Sequence, residues 1–96
     1  MTNTSTVSLH PATRFDFNSF RDFRKDYDAA LENPSVRVLI VDMKNVQYID
    51  SAALGILLLL RDHAINVNKT VEIHNLHGIA KEVLEIANFQ KIFTIR

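Results

Sequence analysis

Apolar residues along this chain switch between a period of two and a spacing of three and four, and each switch marks an element. Val7, Leu9, Thr13 and Phe15 alternate with Ser8, His10, Ala12 and Arg14, which predicts a half-buried first strand. Pro11 interrupts that pattern; lacking an N–H for the ladder, it predicts a sheet edge or a bulge. Phe20, Phe23, Tyr27, Ala30 and Leu31 then recur at helical spacing behind Asn18 or Ser19, either of which can cap the helix. The other face of that helix mixes Arg21, Asp22, Arg24, Lys25, Asp26 and Asp28, as a solvated surface does. Asn33-Pro34-Ser35 ends it, because a residue before proline is driven out of the helical region. Val36 to Asp42 is mostly β-branched and nearly all apolar, the pattern of a parallel strand covered on both faces.

Ala52 to Leu60 is almost wholly apolar, and with Arg61, Asp62, His63 and Ala64 it is too long for an ordinary strand. It reads as a largely buried helix with Asp50 or Ser51 as its N-cap, which leaves the Ser51 hydroxyl near solvent. Asn66-Val67-Asn68-Lys69 makes a turn, and Thr70 to His74 alternates as a strand. Gly78 to Ala87 places Ile79, Val83, Leu84 and Ile86 on a helix, Asn88 suits a left-handed C-cap, and Ile92 to Ile95 forms a last short strand. The order β-α-β-α-β-α-β predicts an α/β fold with a mainly parallel sheet and right-handed crossovers.

Composition narrows the function classes. A chain of 96 residues predicts one domain over 1–96. Eleven basic and eleven acidic side chains cancel, so no summed field would hold nucleic acid or an anionic membrane. The absence of cysteine removes disulfides, thiol nucleophiles and Cys-based zinc sites. Met-Thr-Asn-Thr-Ser-Thr lacks the plan of a signal peptide. The run from Ala52 to Leu60 falls far short of the roughly 20 residues needed to cross a bilayer. A soluble, cytoplasmic protein is expected.

Candidate catalytic chemistry is thin. His74 sits in a predicted strand and His77 in the following loop, so they share no helical face as metal ligands would need. His10 and His63 have no recognisable partner in the sequence. Ser51 lacks the Gly-x-Ser-x-Gly elbow of a hydrolase, and the two glycines, Gly55 and Gly78, build neither a phosphate loop nor a dinucleotide fingerprint. Asp42 and Asp50 flank a loop like a magnesium-binding pair of receiver domains, but no third acid or distal lysine stands in a matching place. No cofactor, no metal and no enzymatic activity are expected.

Tyr48-Ile49-Asp50-Ser51-Ala52-Ala53-Leu54-Gly55 followed by a leucine-rich helix resembles the signature of STAS domains, the family of bacterial anti-sigma-factor antagonists. Arg14-Phe15-Asp16-Phe17 resembles the family's acidic strand-to-helix turn, and Asn88-Phe89-Gln90-Lys91-Ile92-Phe93 its closing helix-to-strand turn. The resemblance covers about residues 6–96 and implies a four- or five-stranded, mainly parallel sheet with about three helices. It implies that Ser51 is phosphorylated by an anti-sigma factor with serine kinase activity, which the unmodified protein binds and sequesters. Asp16, Phe17, Asn18, Asp50, Ser51, Ala52 and Leu54 would form the docking surface, and a PP2C-type phosphatase, alone or as part of a response regulator, would reset the switch. Ala52 and Ala53 stand where many antagonists have serine and glycine, leaving one candidate acceptor.

The stretches around Arg14 and Leu57 look most like single-domain antagonists controlling motility and biofilm formation, with stress transcription as the other pathway. The family's usual strand before Val7 has too few residues here, which would leave Thr6 to Thr13 as a free edge and the protein a monomer or weak homodimer. An alternative is a STAS subunit of an ABC lipid transporter, although such subunits often carry Thr-Gly-Gly where this chain has Ser51-Ala52-Ala53. A weaker one is a scaffold subunit of a stress-sensing assembly.

Overall fold

The computed structural model describes residues 5–96, so the polar N-terminal expectation lies largely outside the described residues. Strands β1 (Thr6–Leu9), β3 (Val38–Asp42), β5 (Thr70–His74) and β6 (Thr94–Ile95) form a parallel four-stranded sheet in the order β1-β3-β5-β6. Strands β2 (Arg14–Phe15) and β4 (Tyr48–Ile49) form a separate parallel pair. The helices are α1 (Phe20–Glu32), α2 (Ser51–Asn66) and α3 (Gly78–Ile86). Single 3-10 turns at Phe17–Ser19 and Phe89–Lys91 complete the described elements.

Strand order explains one correction. The strands of the main sheet follow one another across it in sequence order, and right-handed crossovers then carry all three helices to the same face. Leu39, Val41, Val71 and Ile73 point into the core, while Val38, Ile40 and Asp42 are only half-buried. The central strand is therefore covered on one face, where its apolar run predicted two. β1 lies at the sheet edge, as Pro11 predicted, and among the described residues it pairs only with β3.

The continuous first strand predicted from Val7 to Phe15 is two short strands in two different sheets. Leu9 and Phe15 are buried but Thr13 is exposed, because Pro11, itself buried, breaks the ladder and the chain crosses from one sheet to the other. The last strand is Thr94–Ile95 rather than Ile92–Ile95, since Ile92 ends the preceding 3-10 turn. In α3 the inward residues are Ala80 and Leu84, with Val83 packed beside them; Ile79 is exposed and Ile86 is 81% exposed. Nine residues supply only two and a half turns, and one narrow stripe serves the core. Asn88 adopts the predicted left-handed conformation, with φ 62°.

α2 buries Ala53, Ile56, Leu57, Leu60 and Ala64, while Leu58 is exposed. Its last turn leads to Asn68, also left-handed at φ 60°, which redirects the chain so that Lys69 turns inward. The Lys69 ammonium donates to the carbonyls of Ala30, Leu31 and Asn33 at 3.2, 2.8 and 2.6 Å and so closes the C-terminus of α1. Phe15, Phe23 and Tyr27 pack edge to face in series, with centroids 5.1 and 5.6 Å apart, and bind α1 to β2.

Candidate functional site

Two strand-turn-helix units lie side by side. The β2–β4 register pairs Arg14 with Tyr48 and Phe15 with Ile49. Phe15 and Ile49 are buried, so the two-residue alternation of strands sends Arg14 and Tyr48 to the opposite, outer face. One residue further along the chain, Asp16 and Asp50 each follow the end of a strand and each cap a helical turn with extended backbone, at φ −141° and −117°.

The two caps differ in how fully they are used. Asp16 Oδ1 accepts the Asn18 amide at 3.0 Å, its Oδ2 accepts the Arg14 Nε–H at 3.1 Å, and its own amide donates to Ser19 Oγ at 3.1 Å. This capping box moves the start of the helical segment ahead of the predicted Asn18 or Ser19, and leaves Asp16 buried within the turn rather than presented outward. Among the described residues Asp50 Oδ1 accepts only the Ala53 amide, at 3.1 Å. Of the two predicted caps for α2, Asp50 is the one that bonds, and Ser51 becomes the first helical residue.

That division of labour sets the chemistry of Ser51. Its side chain is exposed and, among the described residues, its hydroxyl makes no hydrogen bond. The backbone N–H groups of Ser51 and Ala52, in the first turn of α2, have no intrahelical acceptor and leave the positive end of the helix dipole beside the hydroxyl. Phe17 is 71% exposed and Asn18 is exposed, whereas Ala52 is half-buried and Leu54 packs partly against the core. A cleft of about 480 Å³ opens beside Phe17, lined also by Asn18, Phe20, Arg21 and Asp22.

Two residues join this surface that sequence patterning passes over. The Arg14 guanidinium lies 4.0 Å above the Tyr48 ring while it bonds Asp16. Arg14 and Asp16 share a strand face at a spacing of two, which is legible, but Tyr48 reaches them only through the β2–β4 register. A two-residue strand leaves no periodic signal to find that pairing.

The other candidate groups are committed elsewhere. Asp42 accepts from the Asn75 side-chain amide at 2.9 Å and the Lys44 amide at 3.1 Å, and these bonds, Asn75 first, hold its carboxyl below the usual range. Glu72 is lowered mainly by its hydrogen bond to His74, at 2.9 Å, with Arg96 at 3.1 Å adding to it. His77 Nε2 lies 2.9 Å from the Lys44 carbonyl. Among the described residues no group of three or more His, Asp or Glu is placed to hold a metal ion, and no helix is long and apolar enough to cross a membrane.

The STAS domain family profile matches residues 2–96. A STAS-domain containing protein of Pseudomonas aeruginosa (strain UCBPP-PA14) is 43% identical over 82 residues, covering 85% of this chain and 79% of that protein. Among solved structures, the unphosphorylated anti-sigma factor antagonist SpoIIAA covers the whole chain and 83% of its own, at 18% identity and a TM-score of 0.75. The phosphorylated form of SpoIIAA, a Bacillus cell fate determinant, aligns over the whole chain and 86% of its own at 16% identity and a TM-score of 0.73. The fold also recurs within the murine anion transporter Slc26a9, where 86% of this chain matches 14% of that protein at 16% identity and a TM-score of 0.74. With a profile spanning almost all its residues and a relative of this identity, the chain belongs to the STAS domain family.

Proposed function

We propose that this protein is an anti-sigma factor antagonist, a single-domain binding module whose docking surface is switched by phosphorylation of Ser51. The observation that carries this is the division of labour at the start of α2. Asp50 does the capping, so the Ser51 hydroxyl is exposed and unengaged at a helix N-terminus. Unmodified, the surface offers exposed Phe17, Asn18 and Ser51 to a partner beside half-buried Asp50 and Ala52, with Asp16 shaping the turn and Leu54 supporting it from below.

The partner is an anti-sigma factor with serine kinase activity, whose sequestration frees its sigma factor for motility, biofilm or stress transcription. In the kinase step Ser51 Oγ bonds the γ-phosphorus of a nucleoside triphosphate held by the partner. The bond to the departing nucleoside diphosphate breaks, and the hydroxyl proton passes to a base on the partner. The product adds nearly two negative charges beside Asp50. Inside the domain the N-terminus of α2 tolerates them, because free amides and the helix dipole favour an anion. At the interface the partner must desolvate a dianion where it met a hydroxyl, and release follows at a cost of several kcal/mol. The fold persists while affinity falls. That SpoIIAA has been solved in both phosphorylated and unphosphorylated forms, with comparable likeness to this chain, supports a switch that leaves the fold in place.

A PP2C-type phosphatase, alone or as a response-regulator domain, resets the switch, and the protein itself acts in the cytoplasm as a monomer or a weak dimer through the β1 edge. The test is affinity capture from lysate of the native host with wild type, Ser51→Ala and Ser51→Asp as baits, read by mass spectrometry. A kinase-like anti-sigma factor retained by the first two and lost by Ser51→Asp is the expected result. Equal recovery of a transporter ATPase by all three would instead assign the chain to a transport complex, with Ser51 merely a helix residue.

A further inference from the structure

The outer face of the β2–β4 ribbon carries one aromatic ring, Tyr48, and one cation, Arg14, and where the two strands end the carboxylates of Asp16, which is buried, and Asp50, which is half-buried, follow. The guanidinium makes two contacts there, the Asp16 carboxylate at 3.1 Å and the Tyr48 ring at 4.0 Å. Its side chain is nonetheless 67% exposed, so neither contact cages it. We propose that Arg14 is the internal counter-ion of the Ser51 site: it holds Asp16 and covers Tyr48 while Ser51 is unmodified, and transfers to the phosphate when Ser51 carries one.

Placement makes the transfer short. The guanidinium already reaches forward two residues along β2 to the Asp16 carboxylate. Asp16 lies beside Asp50 when the register is continued by one residue, and Ser51 follows Asp50 directly. Neighbouring strands are about 4.8 Å apart and each residue advances about 3.3 Å, so the backbones of Arg14 and Ser51 lie about 11 Å apart, a span that an extended arginine and a phosphoserine side chain cover together.

Competition favours the move. A phosphoserine dianion presents nearly twice the charge of a carboxylate and three acceptor oxygens that match the planar guanidinium fork. Asp16 keeps the Asn18 amide after Arg14 departs, so its carboxylate is not stranded. The stacking on Tyr48 is weak at so exposed a position. On transfer, the Tyr48 ring loses the guanidinium that covers it, and Asp16 loses its ion-pair partner while keeping its cap. Phosphorylation thereby changes a wider patch than the one residue it modifies.

This inference rests on Ser51 as the modified residue, and its test uses the isolated protein, so that it fails or succeeds independently of any partner. Phosphoserine is placed at position 51 by stop-codon suppression, and its second ionisation is followed by phosphorus NMR at low salt. This is done in the otherwise native chain, in Arg14→Gln and in Arg14→Lys, each checked for native amide spectra. In the native chain the ionisation falls below the ordinary value of about 6, and Arg14→Gln raises it by roughly three quarters of a unit, the effect of one charge at about 4 Å in water. Arg14→Lys, which keeps the charge without the fork, lies between them. The Arg14 Nε–H resonance also moves between the unmodified and phosphorylated proteins. Identical phosphate titrations with arginine and glutamine at position 14, or an Arg14 resonance indifferent to the phosphate, would overturn the proposal. Failure of the partner switch would instead show as capture that ignores Ser51, with these titrations unchanged.

Discussion

Replacing Lys69 by methionine keeps the aliphatic stem and deletes the ammonium, so it isolates what that charge does for α1. Lys69 is only 8% exposed, and Nζ donates to three carbonyls at the end of the helix. Helix-terminal carbonyls lack intrahelical donors and carry the negative end of the dipole, which is why a cation is favourable there. Of the three, the Ala30 oxygen keeps the Asn33 amide at 3.3 Å and the Asn33 oxygen keeps the Val36 amide at 3.1 Å, which leaves the Leu31 oxygen most dependent on Lys69. A hydrogen bond to a charged group contributes about 1.5–3 kcal/mol net. Three bonds on one ammonium do not add, water reaches the partly buried oxygens once they are freed, and desolvation of the ammonium opposes the gain. The balance is a loss of about 2–4 kcal/mol. At roughly 4–8 °C per kcal/mol for a domain of this size, Tm falls by about 8–32 °C. Urea unfolding followed by circular dichroism reads the effect, with the exposed Lys25→Met as control, expected within about 0.5 kcal/mol of wild type. A Lys69→Met midpoint equal to wild type, or a control that loses as much, would refute the capping role.

Three further outcomes follow from the same structure. Asp50→Ala removes the one side-chain cap of α2 and lowers stability by about 1 kcal/mol, read by the same unfolding curve; an unchanged midpoint would mean that α2 starts without it. Among the described residues the Tyr27 hydroxyl is buried without a hydrogen-bond partner, and burial raises its ionisation, so Tyr27→Phe leaves stability unchanged or raises it by about 1 kcal/mol, whereas a loss above about 1 kcal/mol would reveal a bond to that oxygen. Asp42 and Glu72 ionise lower in the folded than in the unfolded chain, so their stabilisation is complete above the unfolded carboxylate range and disappears as pH falls through their lower folded values. Asp42→Asn with Glu72→Gln should therefore flatten the acid limb of stability against pH while leaving the profile near neutrality parallel to wild type, and an unaltered acid limb would count against both contacts.

Long elements were legible because their patterns are long. α2 was evident from an apolar run longer than any ordinary strand and from the Asp50-Ser51 pair before it, and β5 from strict alternation. β2 and β4 were not, since two residues cannot show a period, and the first strand consequently read as one ladder through Pro11. Coverage of β3 on both faces was overread, because an apolar strand sequence does not say on which side the crossovers place the helices. Ser51 was found through its position at a strand-to-helix switch, but which of Asp50 and Ser51 bonds the first turn needed coordinates. Lys69 resembles any lysine in a polar turn, and only the left-handed Asn68 before it turns it inward. Arg14 and Tyr48 meet by register alone, so the counter-ion of the site is invisible in the linear sequence.

Isothermal titration of the captured anti-sigma factor with this protein, unmodified and carrying phosphoserine at position 51, tests the Ser51 switch most directly. The unmodified protein should bind, and the phosphorylated one should bind at least about 100-fold more weakly, the equivalent of a loss near 3 kcal/mol. Equal affinities, with both forms folded, would contradict a role for Ser51 as the switch.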